Sequence, residues 1–532
     1  MRLIIKEYIS KLKEKDELDN LISAIYNEKG YIADNIPKTG NRQYGVDIQM
    51  HNDTELIWFV VKQGNINRNI WDGDKNAVRQ SLNEIKDVKI NNLSAEHQNK
   101  SIKIIVATNG YIDESINLNW SNYVNNNKSW NGYPIEISFM GIDDIVENII
   151  QCFFNEYLFE EYLRSNLRKA LYFIDEGDYK NIFYEAIIDA LVSKIENSYK
   201  SRNPFEKHCA TLYMASQMIC SYADNVGANK IAISVSEYAI IKYWQFLFKN
   251  NLFEKEVYTK WIISFLKSYE KWNDKFVLKI KKFISEEIIL PHYNVVETRV
   301  QIYEIIGFLS SYGNCLLDYN TEKARNILNI IIEFINKYDQ FVYAPYDASI
   351  GIVIMLLRLL KAFDRFKDIQ NIIEAQTYVT RAIYILDQKY PTASDSFEDA
   401  LAIEFEKDKP PYETTAFWGY YVLLICALDQ SKIYDELKDF LNTDLENTTK
   451  CVWFLRKAEE EFFYSPYAMN RAGEGIEVHI EENFEKMNKA VSVIFEEYKN
   501  ENFSFDEFSF KGLESILCRY YKYIPRVHID FN

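Results

Sequence analysis

Two neighbouring segments constrain this chain most: the turn-like Gln43-Tyr44-Gly45-Val46-Asp47-Ile48 and the strand-like run Leu56-Ile57-Trp58-Phe59-Val60-Val61-Lys62. Upstream of them, Leu18, Leu21, Ile22 and Ile25 recur at helical spacing. That pattern stops at Gly30-Tyr31 and leads into Ile32, Ile36 and the loop Pro37-Lys38-Thr39-Gly40. The expected order is helix, strand, turn, strand. An aspartate closing one short strand and a lysine inside the next would present one carboxylate and one ammonium to a common phosphodiester.

In this respect the residues resemble the restriction-endonuclease-like, or PD-(D/E)xK, nucleases, especially Mrr-type restriction enzymes, Holliday-junction resolvases and nuclease effectors of bacterial antiphage systems. The resemblance spans residues 1–150. It implies a core of helix, three strands, helix and strand. It also implies an acid in the first helix, an aspartate on the second strand, and an acid or glutamine two residues before a lysine on the third. Carried over residue by residue, Glu17 is the helix acid, Asp47 the strand aspartate and Lys62 the lysine, with Asp47 and Glu17 as the ligands of Mg²⁺ or Mn²⁺. Val60 stands where the family has its acid or glutamine. Side chains at i and i+2 of a strand share a face, so Val60 points with Lys62 and offers no ligand. Mg²⁺ usually keeps several waters and one or two carboxylates suffice to hold it. Gln63, Glu55, Gln80 and Glu84 are the alternative donors nearby.

The rest of this segment suits the same core. Ile102-Lys103-Ile104-Ile105-Val106-Ala107 enters Thr108-Asn109-Gly110 as a buried strand would, and Pro134 to Gly141 alternates into another strand before a helix begins at Ile142. Eight of the 17 glycines lie at or before Gly141, which sets a turn-rich α/β region apart from a glycine-poor remainder. The expected organisation is a nuclease-like α/β domain over 1–150 and an all-helical, solenoid- or bundle-like regulatory or interaction domain over 151–532, with a break near 340 as a candidate subdomain boundary.

Amphipathic segments follow one another from Gln151, as in Ile327, Leu328, Ile331, Ile332, Phe334 and Ile335, and break at turns such as Pro291-His292-Tyr293-Asn294. No tetratricopeptide consensus stands out. Three junctions rich in aromatic and small polar residues, 343–349, 410–415 and 465–473, are read as helix caps, with Asp347 and Thr414 as the capping residues. The sharper reading makes them a common pocket with Arg471 as an anion contact. Lys267, Lys271, Lys275, Lys279 and Lys282 would form a stripe if one helix carried them all; a solvated helix face is the plainer account.

No run approaches the roughly 18 apolar residues of a membrane span, and the start of the sequence shows no secretion signal. Seven scattered cysteines read as reduced residues of a cytoplasmic protein. Zinc-type spacings, a phosphate-binding GxxxxGK loop, a GxSxG elbow and a dinucleotide GxGxxG are absent, which removes the corresponding ATPase, triad-hydrolase and Rossmann readings. The net charge is −17, of which −4 falls in the first 150 residues and −13 in the remainder. Most of such a surface repels nucleic acid.

The combined expectation is a Mg²⁺-dependent nuclease or nuclease-like effector in bacterial antiphage defence, acting on DNA or RNA and controlled through its helical part by a protein partner or by self-association. The rival expectations are a catalytically degenerate nucleic-acid-binding module and a protein-interaction scaffold.

Overall fold

The computed structural model describes residues 2–35, 44–73, 76–152, 161–176, 182–286, 295–387, 413–454, 474–501 and 512–522. The loop 37–40, the turn 291–294, the segments 410–412 and 465–473 and hence Arg471 lie outside the described residues. Among the described residues no helix is long and apolar enough to cross a membrane. The chain forms two compact units, Met1–Ala228 and Asn229–Asn532. The α/β region expected to end near 150 is thus joined by three further helices.

The first unit opens with α1 (Arg2–Ile9), an irregular turn (Glu14–Leu18) and α2 (Asp19–Glu28). Strands β1 (Ile32–Asn35), β2 (Ile48–His51) and β3 (Glu55–Lys62) follow as an antiparallel meander. Helices α3 (Arg68–Asp72) and α4 (Val78–Glu84) then carry the chain across to β4 (Ser101–Thr108), which pairs in parallel with β3. After α5 (Asn117–Asn126), the hairpin of β5 (Ser129–Trp130) and β6 (Tyr133–Met140) adds β6 in parallel to β4, and α6 (Ile142–Cys152) closes the region. The sheet order is β1-β2-β3-β4-β6-β5.

The centre of the sheet is apolar on both faces because both are covered. Leu56, Trp58 and Val60 point one way, toward Val78 and Leu82 of α4 and Trp71 of α3. Phe59 points the other way, where the Tyr26 ring of α2 meets it edge-on at 4.8 Å. A strand sandwiched between helices needs no polar face, which is why Leu56 to Val61 reads as a continuous apolar run. The unit is completed by α7 (Glu161–Asp175), α8 (Ile182–Ser198) and α9 (Arg202–Asn225), and α9 packs on α1.

The second unit is largely helical: α10 (Asn229–Lys249), α11 (Glu256–Ser285), α12 (Val295–Leu316), α13 (Thr321–Lys337), α14 (Ile350–Lys361) and α15 (Phe366–Asp387), then α16 (Ala416–Ala427), α17 (Ser431–Thr443), α18 (Phe484–Glu501) and α19 (Gly512–Tyr521). It is not all-helical, as the sequence had suggested. Strands β7 (Thr414–Thr415), β8 (Thr449–Phe454) and β9 (Glu474–Glu477) form a small sheet in the order β7-β8-β9. The β-prone run Thr449-Lys450-Cys451-Val452-Trp453-Phe454 is too short to show a period that separates strand from helix. Helix α12 touches α11, α13, α14 and α19, and α19 also returns to α10. Contacts that skip so far along the chain describe a bundle, since a solenoid repeat touches only its neighbours.

Two sequence readings resolve here. Helix α11 runs unbroken through Trp272-Asn273-Asp274, so the five lysines do lie on one helix, but several have local partners. Lys271 and Lys275 sit over the Trp272 ring at 3.9 and 4.8 Å, Lys279 donates to Asn229 and Lys282 pairs with Glu286. The cap of α16 is Thr415 rather than Thr414, and Asp347 caps the same helix from a distance, accepting from the Thr415 hydroxyl and the Ala416 and Phe417 amides.

Candidate functional site

The parallel strands β3 and β4 run side by side and end together, Lys62 opposite Thr108. The loops that follow are locked to each other. The Gly64 amide donates to the Asn109 side chain and the Thr108 hydroxyl donates to the Gly64 carbonyl. Gly110 packs so closely on this loop that a Cβ there would lie 2.5 Å from the Gly64 carbonyl carbon. Buried Asn109 also donates to the carbonyls of Ile9, the last residue of α1, and of Leu12 just beyond it. One asparagine thereby fixes where the chain leaves α1 and enters the turn Glu14–Leu18.

That turn sets its acids beside β3. Glu14 Oε1 lies 3.9 Å from Lys62 Nζ, and the Lys62 side chain is only 12% exposed. Asp47 stands one residue before β2, where its amide donates to the Phe59 carbonyl. Continuing the β2-β3 register by one step puts Asp47 opposite Val60, so Lys62 is its diagonal neighbour on the same face. Asp47 Oδ2 accepts the Val61 amide at 2.7 Å. Burial pushes the Asp47 carboxyl above the usual aspartate range, against the opposing pull of Lys62 and the Val61 N–H, while Glu14 adds to the rise.

The tight turn ahead of Asp47 depends on Gly45, whose φ is +78°, and a Cβ there would lie 2.2 Å from the Ser81 carbonyl oxygen of α4. Asp47 is thus aimed by a backbone conformation and a close approach that other residues do not accept.

Glu17 has different partners. Its Oε1 accepts from Lys207 of α9 at 2.6 Å and its Oε2 accepts the Lys13 amide at 2.8 Å. Burial raises its pKa, but Lys207 and the Lys13 N–H outweigh that and leave it below the ordinary glutamate value. The acid of this turn that faces Lys62 is Glu14, one helical turn earlier in sequence. Sequence spacing could not separate the two, because the segment is not regular helix: Lys15 is extended and Asp16 has φ +68°. Val60 is wholly buried against Trp58, Val106 and Leu82 and brings no polar atom.

The donor set Asp47 and Glu14 beside Lys62 suits a hard cation that accepts carboxylate oxygens and retains its own waters. A separate group of metal-type donors, Asp34, His51 and His97, gathers at the other end of β2. Cys209, Cys220, Cys315, Cys426 and Cys518 are buried thiols, and Cys451 is half-buried. No family model matches this chain, and no curated protein or solved structure matches it either.

Proposed function

We propose that the first unit is a divalent-cation-dependent nuclease domain in which Asp47 and Glu14 hold the ion and Lys62 faces the phosphate. Supporting this reading above all is the convergence of a desolvated aspartate, a mostly buried lysine and a second carboxylate at the exit of β3. An ion bound there would supply the acidification of a water nucleophile and the charge that phosphodiester hydrolysis needs. Lys62, withdrawn from water, would act on the developing phosphate charge more strongly than a surface lysine could. Glu17 becomes a positioning residue, holding the turn through Lys207 and the Lys13 amide. The setting in antiphage defence rests on the resemblance of residues 1–150 alone.

The net charge of −17 argues for control by assembly. Long-range repulsion slows encounter with nucleic acid and weakens binding, so a protein partner, self-association through the helical unit or a bound ligand would bring the substrate to the site. A second reading, a nucleic-acid-binding module without chemistry, is favoured by one observation: apolar Val60 where the resemblance asks for a ligand.

The test is cleavage of DNA and RNA by the full chain with Mg²⁺ or Mn²⁺, alone and with candidate partners. Cleavage lost in both Asp47→Asn and Lys62→Ala, with melting unchanged, supports the nuclease. Binding without cleavage under every condition supports the second reading, and cleavage unaffected by either substitution rejects the site.

A further inference from the structure

Strands β1 and β2 form the outer part of the sheet, and their pairing is irregular at one place. Ile32 pairs with His51 and Ala33 with Met50, but the register slips before Asn35 pairs with Gln49. Asp34 is the extra residue of this β-bulge. Bulges re-aim side chains, and here the Asp34 carboxylate turns onto the β2 face that Gln49 and His51 share. Its Oδ1 lies 2.7 Å from His51 Nδ1, and its Oδ2 lies 3.4 Å from His97 Nε2. His97 comes from the turn before β4 and its side chain is 8% exposed; His51 is 14% and Asp34 20% exposed.

Three features distinguish this group from a simple ion pair. Neither His51 Nδ1 nor His97 Nε2 is hydrogen-bonded, although both are buried and a carboxylate oxygen is near: the oxygens lie off the line of the ring N–H. The three ligand atoms lie within 4.8 Å of one another. Donors about 2.0–2.1 Å from a tetrahedral Zn²⁺ stand about 3.3 Å apart, so a modest side-chain adjustment would seat an ion. The outer contacts are also those of a ligand set. Ser94 Oγ is hydrogen-bonded to His97 Nδ1 at 2.9 Å, which leaves Nε2 facing the group. Gln49 donates to Asp34 Oδ2 at 2.7 Å and accepts in turn from the indole of buried Trp58 at 3.0 Å. Partners of this kind orient metal ligands and fix the imidazole tautomer.

We propose that Asp34, His51 and His97 bind a first-row divalent cation of the Zn²⁺ type through two imidazoles and one carboxylate, with a fourth position left for water. Two nitrogen donors select such an ion over Mg²⁺, which prefers oxygen. The site is separate from Asp47 and Lys62. Asp47 and His51 are four positions apart along the strand, about 13 Å at about 3.3 Å per residue. Lys89 also feels the Asp34 carboxylate, and burial lowers its pKa against that attraction. An ion here would tie together the edge strand, the end of β2 and the 94–97 turn.

The test uses full-length protein stripped with EDTA and titrated with Co²⁺ and Zn²⁺. We expect one equivalent of Co²⁺ to develop the intense visible bands of a four-coordinate ion and Zn²⁺ to bleach them. His97→Ala should lower affinity by more than the roughly 10–100-fold that loss of an outer partner costs, and Gln49→Leu, which touches no ion, by about that amount. Asp47→Asn should leave the titration unchanged. Absence of the Co²⁺ bands in the wild type overturns the site, whether or not the variants fold. Bands of undiminished affinity in both folded His97→Ala and Gln49→Leu overturn it as well, placing the metal on another histidine.

Discussion

Replacing Glu17 by glutamine separates an acid that holds the turn from one that would hold a metal. Its carboxylate takes the Lys207 ammonium on one oxygen and the Lys13 amide on the other, and the two side chains of the ion pair are 26% and 15% exposed. An exposed pair contributes at most about 1 kcal/mol, and a hydrogen bond to a charged group about 1.5–3 kcal/mol. A pair between these limits should contribute about 1–2 kcal/mol at pH 7. Glutamine keeps one acceptor oxygen, so its loss should fall in that range and not beyond it. The pH dependence is the sharper signature. Because the folded state lowers the Glu17 pKa from the ordinary 4.5, the folded protein holds that proton less tightly than the unfolded chain. The stabilisation is therefore complete well above pH 4.5 and disappears as the pH falls through the depressed folded value. Urea unfolding of wild type and Glu17→Gln at pH 7 and at steps below 4.5 should show curves that converge on acidification. A difference that is constant with pH, or grows in acid, refutes the assignment. Under the nuclease reading, Glu17→Gln should also keep cation-dependent cleavage while Glu14→Gln loses it, and the reverse result would return Glu17 to the metal.

Gly45→Ala should destabilise the first unit by about 2 kcal/mol or more, since it combines a left-handed backbone with a contact of 2.2 Å to the Ser81 carbonyl; a melting temperature within a degree of wild type would contradict this. In the second unit, Arg519 on α19 forks onto fully buried Glu237 on α10 and lies 4.1 Å over the Phe308 ring. Arg519→Met should cost about 3–5 kcal/mol by leaving that carboxylate unpaired, and the double change with Glu237→Met should recover much of it; a single-variant cost below about 1 kcal/mol in chemical denaturation would show the pair to be dispensable. If Asp47 must be ionised to hold the ion, its raised pKa in the metal-free protein means that cation affinity falls on acidification at a pH above the ordinary aspartate value of 3.8, and an affinity unchanged down to that value would exclude this role.

The strands and helices of the first 150 residues were legible because burial leaves a strong local mark. The six-residue apolar core of β3 and the run entering Thr108 have few other solutions than central strands. The helical character of the remainder was legible for the same reason, through its 3.6-residue period. Where the period was too short to read, as at Thr449–Phe454, a strand was taken for helix.

Asp47 and Lys62 were also within reach of the sequence, because strand alternation and a short connection already put them on one face. The choice between Glu14 and Glu17 was not. It depends on an irregular turn anchored by Asn109, nearly a hundred residues away, and on Lys207, 190 residues from Glu17. The Asp34, His51 and His97 group was hidden more completely, since its members come from three segments with no common spacing and meet through a one-residue slip in strand register. Periodicity and turn chemistry are local properties, so the sequence by itself determined which segments are helix or strand and which face each would bury. Only the tertiary structure decided which charges and ligands meet, because that rests on register, bulges and buried polar anchors whose partners lie far along the chain.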